Sequence, residues 1–441
     1  MSAPLQSCAV VGAGAAGLAT AIFLRRFNPT CSVVILDGAR KPGAKILVSG
    51  GSRCNVTNAV VTERDFWGGR RGIVRRVLRA FPVAETIDFF REIGVAVHEE
   101  AGGKLFPDTN RARDVLDALL RETEAVGATL VPGHRVLDVE RAAGEFRVIT
   151  DRGELRAASV VLATGGQSLP KSGSDGAGFA MAQRLGHSIV PTTPALAPLV
   201  LGEPSVHTRL SGVSQDVELA VWVDGAISVR LTGALLWTHF GVSGPVAMNA
   251  SRHWLRAQLE RRQTSITINF RPGQRFESVD TEWQRRATVS PKTSVQSTLA
   301  AMLPASVAAA ILRHLGMEGT VLLAHLGRDD RRRLSRALVE WLLPVVDSRG
   351  YTFAEATAGG VTLTEIDPAT MESRVCPGLH CVGEIVDVDG RIGGFNFQWA
   401  WSSGFVAGRA LARRLRTHPT HATHATRRAE GPGSDRAFGA D

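Results

Sequence analysis

The chain has 441 residues, 44% apolar and 21% charged, the proportions of a folded soluble protein with room for two or three domains. No run approaches the roughly 18 uninterrupted apolar residues of a membrane helix, and residues 1–6 lack the basic and apolar parts of a signal peptide. No membrane and a cytoplasmic location are therefore expected. The net charge of +9 reflects an arginine bias, 46 arginines against five lysines, scattered without interleaved stacking aromatics, so no nucleic-acid partner is expected from it. Cys8, Cys31, Cys54, Cys376 and Cys381 show no CxxC spacing, which argues against a disulfide framework, and no metal site is expected.

The first element is a strand, Cys8-Ala9-Val10-Val11, running into Gly12-Ala13-Gly14-Ala15-Ala16-Gly17 and a helix to about Phe27. A second apolar strand, residues 33–36, ends on Asp37, twenty residues past Gly17. Strand, glycine turn, helix, strand and acid together make the dinucleotide-binding fingerprint. Gly12 permits the tight turn, Gly14 lets the backbone approach a pyrophosphate, and Gly17 lets the helix pack on the strand. The helix start at Ala15 and Ala16 offers N–H groups to phosphate, and Asp37 is placed to accept from a ribose.

Residues 42–55 read as a loop laid along the cofactor. Lys45 and Arg53 can neutralise phosphate there, and Ser49, Gly50, Gly51, Cys54 and Asn55 complete the contact surface. Helical patterning follows at 73–78, 83–93 and 111–126. A small antiparallel set is expected over 135–140, 145–150 and 154–157, with Val136 at the cofactor. Residues 159–163 form a buried strand that returns to the cofactor at Ala163, Thr164, Gly165 and Gly166.

From about residue 192 the pattern changes. Residues 200–230 and 265–270 alternate as the strands of a barrel-like insert, and 293–343 read as short helices. Strand patterning returns near Tyr351, and residues 378–384 end in Gly383 and Glu384, a pair suited to a ribityl chain. Gly393, Gly394, Phe395 and Asn396 then open a helix whose positive end would meet the pyrimidine edge of a flavin. After about residue 415 the periodicity is lost, and the tail with His418, His421 and His424 reads as disordered. The order of these motifs, glycine turn first and glycine-acid pair last, is that of flavin-binding oxidoreductases rather than NAD-only dehydrogenases. The cofactor expected is FAD.

These residues resemble the BaiN-like family of NAD(P)/FAD-dependent oxidoreductases, which includes proposed bile-acid reductases and aminoacetone oxidases. The likeness rests on GAKILVSGGSRCNVTN (residues 43–58), THFGVSGP (238–245), TMES (370–373) and GEIVDVDGRIGGFNFQWAWSSG (383–404). It implies an α/β fold: a glutathione-reductase-like Rossmann FAD domain interrupted by a β-barrel and a small helical domain. The expected plan is an FAD domain over 1–191 and 359–415, a barrel over 192–275, helices over 276–344, a return strand over 345–358 and a tail over 416–441. Two departures are visible. Ala177 stands in Gly176-Ala177-Gly178 where the family has an acid, and Asp37 replaces a glutamate.

The expected reaction is hydride transfer between FAD and a small organic molecule, steroid-like or an amino ketone, with NAD(P)H as a transient partner or oxygen as acceptor. For the proton, His239 is the first candidate, with Cys54 and Tyr351 behind it. Two competing readings stay open: an FAD protein that binds or modifies RNA, and a flavin-binding regulator without turnover.

Overall fold

The computed structural model describes residues 5–142, 144–203 and 207–417. One sheet of seven strands is built on Gln6–Val11, which pairs in parallel with Val33–Asp37 on one side and Gly153–Leu162 on the other. Thr129–Pro132 extends it beyond Val33–Asp37, and Leu379–Cys381 pairs in parallel with Val160, Val161 and Leu162. These central strands are continuous apolar runs because helices cover both faces. The helices Ala15–Phe27 and Phe395–Thr417 pack against each other over one of them. The expected antiparallel set, Val136–Ala142 and Glu145–Thr150, folds onto the N-terminal half of Gly153–Leu162. The strands centred on Val10, Ile35, Val161 and His380 all deliver their carboxyl ends to the same edge, where an open α/β sheet places its ligand.

The chain leaves this unit along Ile189–Ala195 and returns along Ala356–Val361, and the two strands pair as an antiparallel ribbon. Between them lies a second seven-stranded sheet, antiparallel throughout. Its two edge strands, Trp341–Leu343 and Val345–Ser348, are consecutive across Pro344, so the sheet curls back on itself as a barrel. The helices Phe276–Val289, Val295–Ala300, Ala305–Leu315 and Arg328–Val339 form an excursion between two barrel strands. The insert has its own core around Trp237, Trp254, Trp283, Ile266 and Leu334, separate from the FAD domain's.

Three boundaries differ from the sequence reading. Residue 191 falls inside a ribbon strand, the helical excursion ends at Val339, and Val345–Ser348 belongs to the barrel while Ala356–Val361 makes the return. Ile189–Ala195 is as half-buried as a barrel strand, so alternation alone cannot tell a ribbon strand from a barrel strand there, and the return strand Ala356–Val361, buried throughout, shows no alternation at all. The last helix runs to Thr417, and residues 418–441 of the expected tail lie outside the described residues. Among the described residues, no helix is long and apolar enough to cross a membrane, and no cluster of His, Cys, Asp or Glu could hold a metal. All five cysteines are free and buried.

Candidate functional site

A cavity of about 500 Å³ opens at the carboxyl edge of the sheet built on Gln6–Val11, and segments from both ends of the chain line it. Gly12, Gly14, Ala15, Ala16 and Asp37 form one end, with Val136 and Arg135 beside them. Lys45, Ser49, Gly50, Gly51, Arg53 and Asn55 come from the segment after Asp37, and Ala163, Thr164 and Gly165 from the end of the long strand. Gly383, Glu384, Gly393, Gly394 and Asn396 close the other wall. Four expected residues stand behind the lining: Gly17, Cys54, Gly166 and Phe395. Gly166 is wedged against Thr357, where an added Cβ would come within 2.4 Å of Oγ1.

The glycine turn fits an adenine dinucleotide in detail. A Cβ on Gly17 would fall 1.9 Å from the Gly12 carbonyl oxygen, and one on Gly12 would fall 2.5 Å from that of Ala163. Both positions are closed by backbone. Gly14 is the opposite case, because nothing lies within 4 Å of its Cβ position and that space is the cavity. The helix it opens has no side-chain cap and no acid in its first turn, so its positive end is left to an anion. Asp37 accepts from Ala13 N at 2.7 Å and Ala39 N at 2.8 Å, which fixes both carboxylate oxygens while leaving each further lone pairs. The Ser172 and Ser174 hydroxyls line the same cavity, buried and without a partner, as groups awaiting a polar ligand would be. A phosphate-rich ligand fits this end.

The basic residues of the 42–55 segment are arranged differently from the sequence reading. That segment is a turn of helix from Ala44, broken where Ser49 turns extended and Gly50 and Gly51 take left-handed φ of 56° and 69°. Arg53 is held by Glu100 at 2.6 Å and stacks 3.9 Å from the Phe106 ring centroid, so its charge is already met. Lys45 is ion-paired with Glu384 and donates to Ser168 Oγ at 2.7 Å. Glu384 also accepts from Ser168 Oγ and from Thr357 N, each at 2.8 Å. This Lys45–Glu384–Ser168 network ties three distant segments together at mid-cleft. At the start of the last helix, the Asn55 amide, oriented to satisfy its neighbours, accepts from Gly394 N at 3.1 Å. A Cβ on Gly394 would lie 2.4 Å from the Thr57 carbonyl. That glycine therefore answers to packing, and Gly393 and Asn396 are the open part of the pair's surroundings.

Several contributors carried no sequence signal. Glu355 lines the cavity with its side chain open to it, just ahead of the return strand. The residue is exposed to the cleft, but the protein packed around its carboxyl strips it of water and raises it above the usual range, against the pull of Lys45 and Lys104. Lys104, Leu196 and Ile392 share this end, and Lys104 makes no ion pair among the described residues. Glu355, Lys104 and Leu196 are ordinary residues in unremarkable strings, Ile392 sits unsignalled inside a distinctive one, and only the fold assembles them. Asp175 lines the cavity too and accepts from Ala177 N at 3.1 Å, which places an acid two residues ahead of the position where the family carries one.

The three proton candidates fare otherwise. His239 is exposed on a barrel turn with its ring edge-on to Phe240 at 5.1 Å, outside the cavity lining, so the turn-rich motif does not carry it to the cleft. Cys54 is buried, held at φ 62°, with its thiol pushed up to about 12 by burial, the profile of a packing residue. Tyr351 donates to Thr192 Oγ1 at 2.9 Å and does not line the cavity. Trp399 does line it, while its indole N–H donates to Gly383 O at 3.0 Å; Trp401 is core.

Residues 6–410 match the family model described as HI0933-like protein Rossmann domain. The chain is 31% identical over 405 residues to a 3-dehydro-bile acid delta(4,6)-reductase of Clostridium scindens, covering 92% of this chain and 98% of that one. It is 33% identical over 404 residues to a ribosomal RNA dihydrouridine synthase of Escherichia coli, covering 91% and 97%. Among solved structures, quinol fumarate reductase FrdA of E. coli matches at a TM-score of 0.51 and 16% identity, covering 95% of this chain and 71% of that one, a likeness of fold.

Proposed function

The chain belongs to the HI0933-like family and is an FAD-dependent oxidoreductase, and from that premise we propose that it saturates a ring carbon–carbon double bond conjugated to a carbonyl. The two curated relatives differ in substrate, yet both printed activities describe that one change. Such a bond takes a hydride at the carbon β to the carbonyl and a proton at the α carbon. Bound FAD supplies the hydride. The chain's own residues must orient the ring, polarise the carbonyl and hold the proton.

Glu355 is the observation that carries the reading. Its carboxyl opens onto the cleft and is raised above the ordinary carboxylate range, which favours the protonated form that a donor to the α carbon needs. Lys104 sits at the same end and can steady the carbonyl oxygen as negative charge develops there. Leu196 and Ile392 give a flat ring an apolar wall. Reduced nicotinamide, docking transiently, is the electron source that fits a chain with one dinucleotide fingerprint.

For the substrate, a steroid-like enone is the leading class. A second class, uridine within RNA, is favoured by a patch two residues ahead of Glu355. There the Arg349 guanidinium lies 3.7 Å from the Phe353 ring centroid and 4.5 Å from that of Phe240, with Phe353 47% exposed. Stacked arginine and aromatic faces are what a neighbouring base packs against. The test is anaerobic: reduce the FAD-loaded protein with NADH or NADPH, add a 4-en-3-one steroid or a ribosomal RNA transcript, and follow flavin absorbance. Reoxidation with a saturated product identifies the substrate class. A flavin that stays reduced with both sinks the proposal.

A further inference from the structure

The insert helix Pro245–Leu259 touches the FAD domain along one face, and its contacts converge on one segment of the cleft. Arg252 makes a bidentate ion pair with Asp389, Nε to Oδ2 at 2.5 Å and the second guanidinium nitrogen to Oδ1 at 2.8 Å. Both residues are buried, at 7% and 1% exposure, and the guanidinium lies 5.1 Å from the Trp67 ring centroid. One turn back, Asn249 Oδ1 accepts from Ile392 N at 2.9 Å. Met248 joins a small apolar cluster with Leu196 and Ala356, on which Ile392 packs. Asn396 then clasps Gly390 from within the segment, accepting from its N–H at 2.8 Å and donating to its carbonyl at 3.0 Å.

The segment pinned in this way, residues 389–396, carries Gly393, Gly394 and Asn396 into the cavity and begins the longest helix of the FAD domain. We infer that Arg252 and Asn249 are positioning residues through which the insert sets how this helix start meets the flavin, and hence how strongly reduced flavin is favoured over oxidised. A buried two-point ion pair with a planar, forked donor fixes direction as well as distance, which a lysine cannot do. The positive end of a helix favours negative charge most when it is aimed and held, and less when the segment relaxes. The inference needs FAD in the cleft but not the double-bond reading, so it survives if neither substrate class reacts.

The experiment compares Asn249→Ala and Arg252→Lys with the parent, all loaded with FAD. Visible spectrum, midpoint potential and FAD dissociation constant are measured, together with the melting temperature of the FAD-free protein. In Asn249→Ala we expect the FAD-free melting temperature to hold within a few degrees. Its preference for reduced flavin should fall about tenfold, a downward shift of about 30 mV for a two-electron couple. Arg252→Lys should shift the potential in the same direction and alter the spectrum. Should Arg252→Lys fail to fold, Asn249→Ala decides alone. Potentials and spectra matching the parent overturn the inference. So does weaker FAD binding that only follows a fall in FAD-free stability, since that marks a merely structural contact.

Discussion

The two ends of the cleft are built of different material. At the nucleotide end the turn is shaped by main chain: Gly12 closes on the Ala163 carbonyl and Gly17, behind the lining, on that of Gly12, so neither has room for a Cβ. At the reactive end the wall is side chain, where Glu355, Lys104, Leu196 and Ile392 arrive from four separate segments. A backbone-made surface recognises what never varies, a pyrophosphate and a ribose. A side-chain surface can be changed one residue at a time without disturbing the sheet. A division of this kind lets one fold serve different substrates without rebuilding its nucleotide end.

The contrast breaks most visibly at Gly17. Its replacement by alanine puts a methyl 1.9 Å from the Gly12 carbonyl oxygen, and no flexible side chain can yield there. We expect Gly17→Ala to cost about 3 kcal/mol or more, with a lower melting temperature in the FAD-free protein as well as loss of flavin. A stable, yellow Gly17→Ala protein would mean the turn is looser than its packing indicates.

At the reactive end the corresponding change should spare the fold and strike turnover. Glu355→Gln keeps shape and polarity but holds no transferable proton, so the rate of double-bond reduction should fall about a hundredfold. Flavin reduction by nicotinamide should be unaffected. Because burial raises the Glu355 carboxyl, the parent enzyme is active below that raised value and loses activity as pH climbs through it. Glu355→Gln should show a flat profile over the same range. A variant with the parent's alkaline limb would assign the proton to another group.

The same division governs what was legible beforehand. Gly12, Gly14, Gly17 and Asp37 announce themselves because backbone geometry dictates residue type at fixed spacing. Lys45 and Glu384 were legible as cleft residues, but not their pairing, which needs segments 339 positions apart to meet. Glu355 was invisible, since one glutamate in a mixed string carries no period and no turn chemistry. His239 misled for the converse reason: a glycine-rich, turn-bearing string signals local geometry, and here that geometry belongs to the barrel.

The insert helix Pro245–Leu259 packs on the segment that opens the last helix, and its His253 offers a smaller test. The residue is half-buried, its ring edge-on to Trp67 at 5.0 Å and its Nε2 buried and unpartnered, and loss of solvation with the adjacent Arg252 lowers it to about 3. The folded protein keeps this histidine neutral while the unfolded chain protonates it near 6.5, so stability is lost as pH falls from there toward 3. At about 1.4 kcal/mol per pH unit, descent from pH 6.5 to pH 5 should remove roughly 2 kcal/mol. His253→Phe, which retains a ring against Trp67, should abolish that part of the acid sensitivity in thermal melts. An unchanged pH dependence would place the sensitivity elsewhere.

The smallest expected change bears most directly on the comparison, because it asks whether the main-chain wall can be probed without damaging the fold. Gly14 is the one member of the fingerprint whose Cβ position opens into the cavity, and its φ of −83° suits any residue. Gly14→Ala should therefore leave the FAD-free melting temperature within about a degree of the parent. The added methyl stands where the pyrophosphate must approach the N–H groups of the helix start, so FAD affinity should fall about tenfold, roughly 1.4 kcal/mol. Calorimetric titration of FAD into the stripped protein reads that loss directly. If Gly14→Ala binds FAD as the parent does, the phosphates lie away from this turn, and the separation into a backbone end and a side-chain end fails where it is most easily checked.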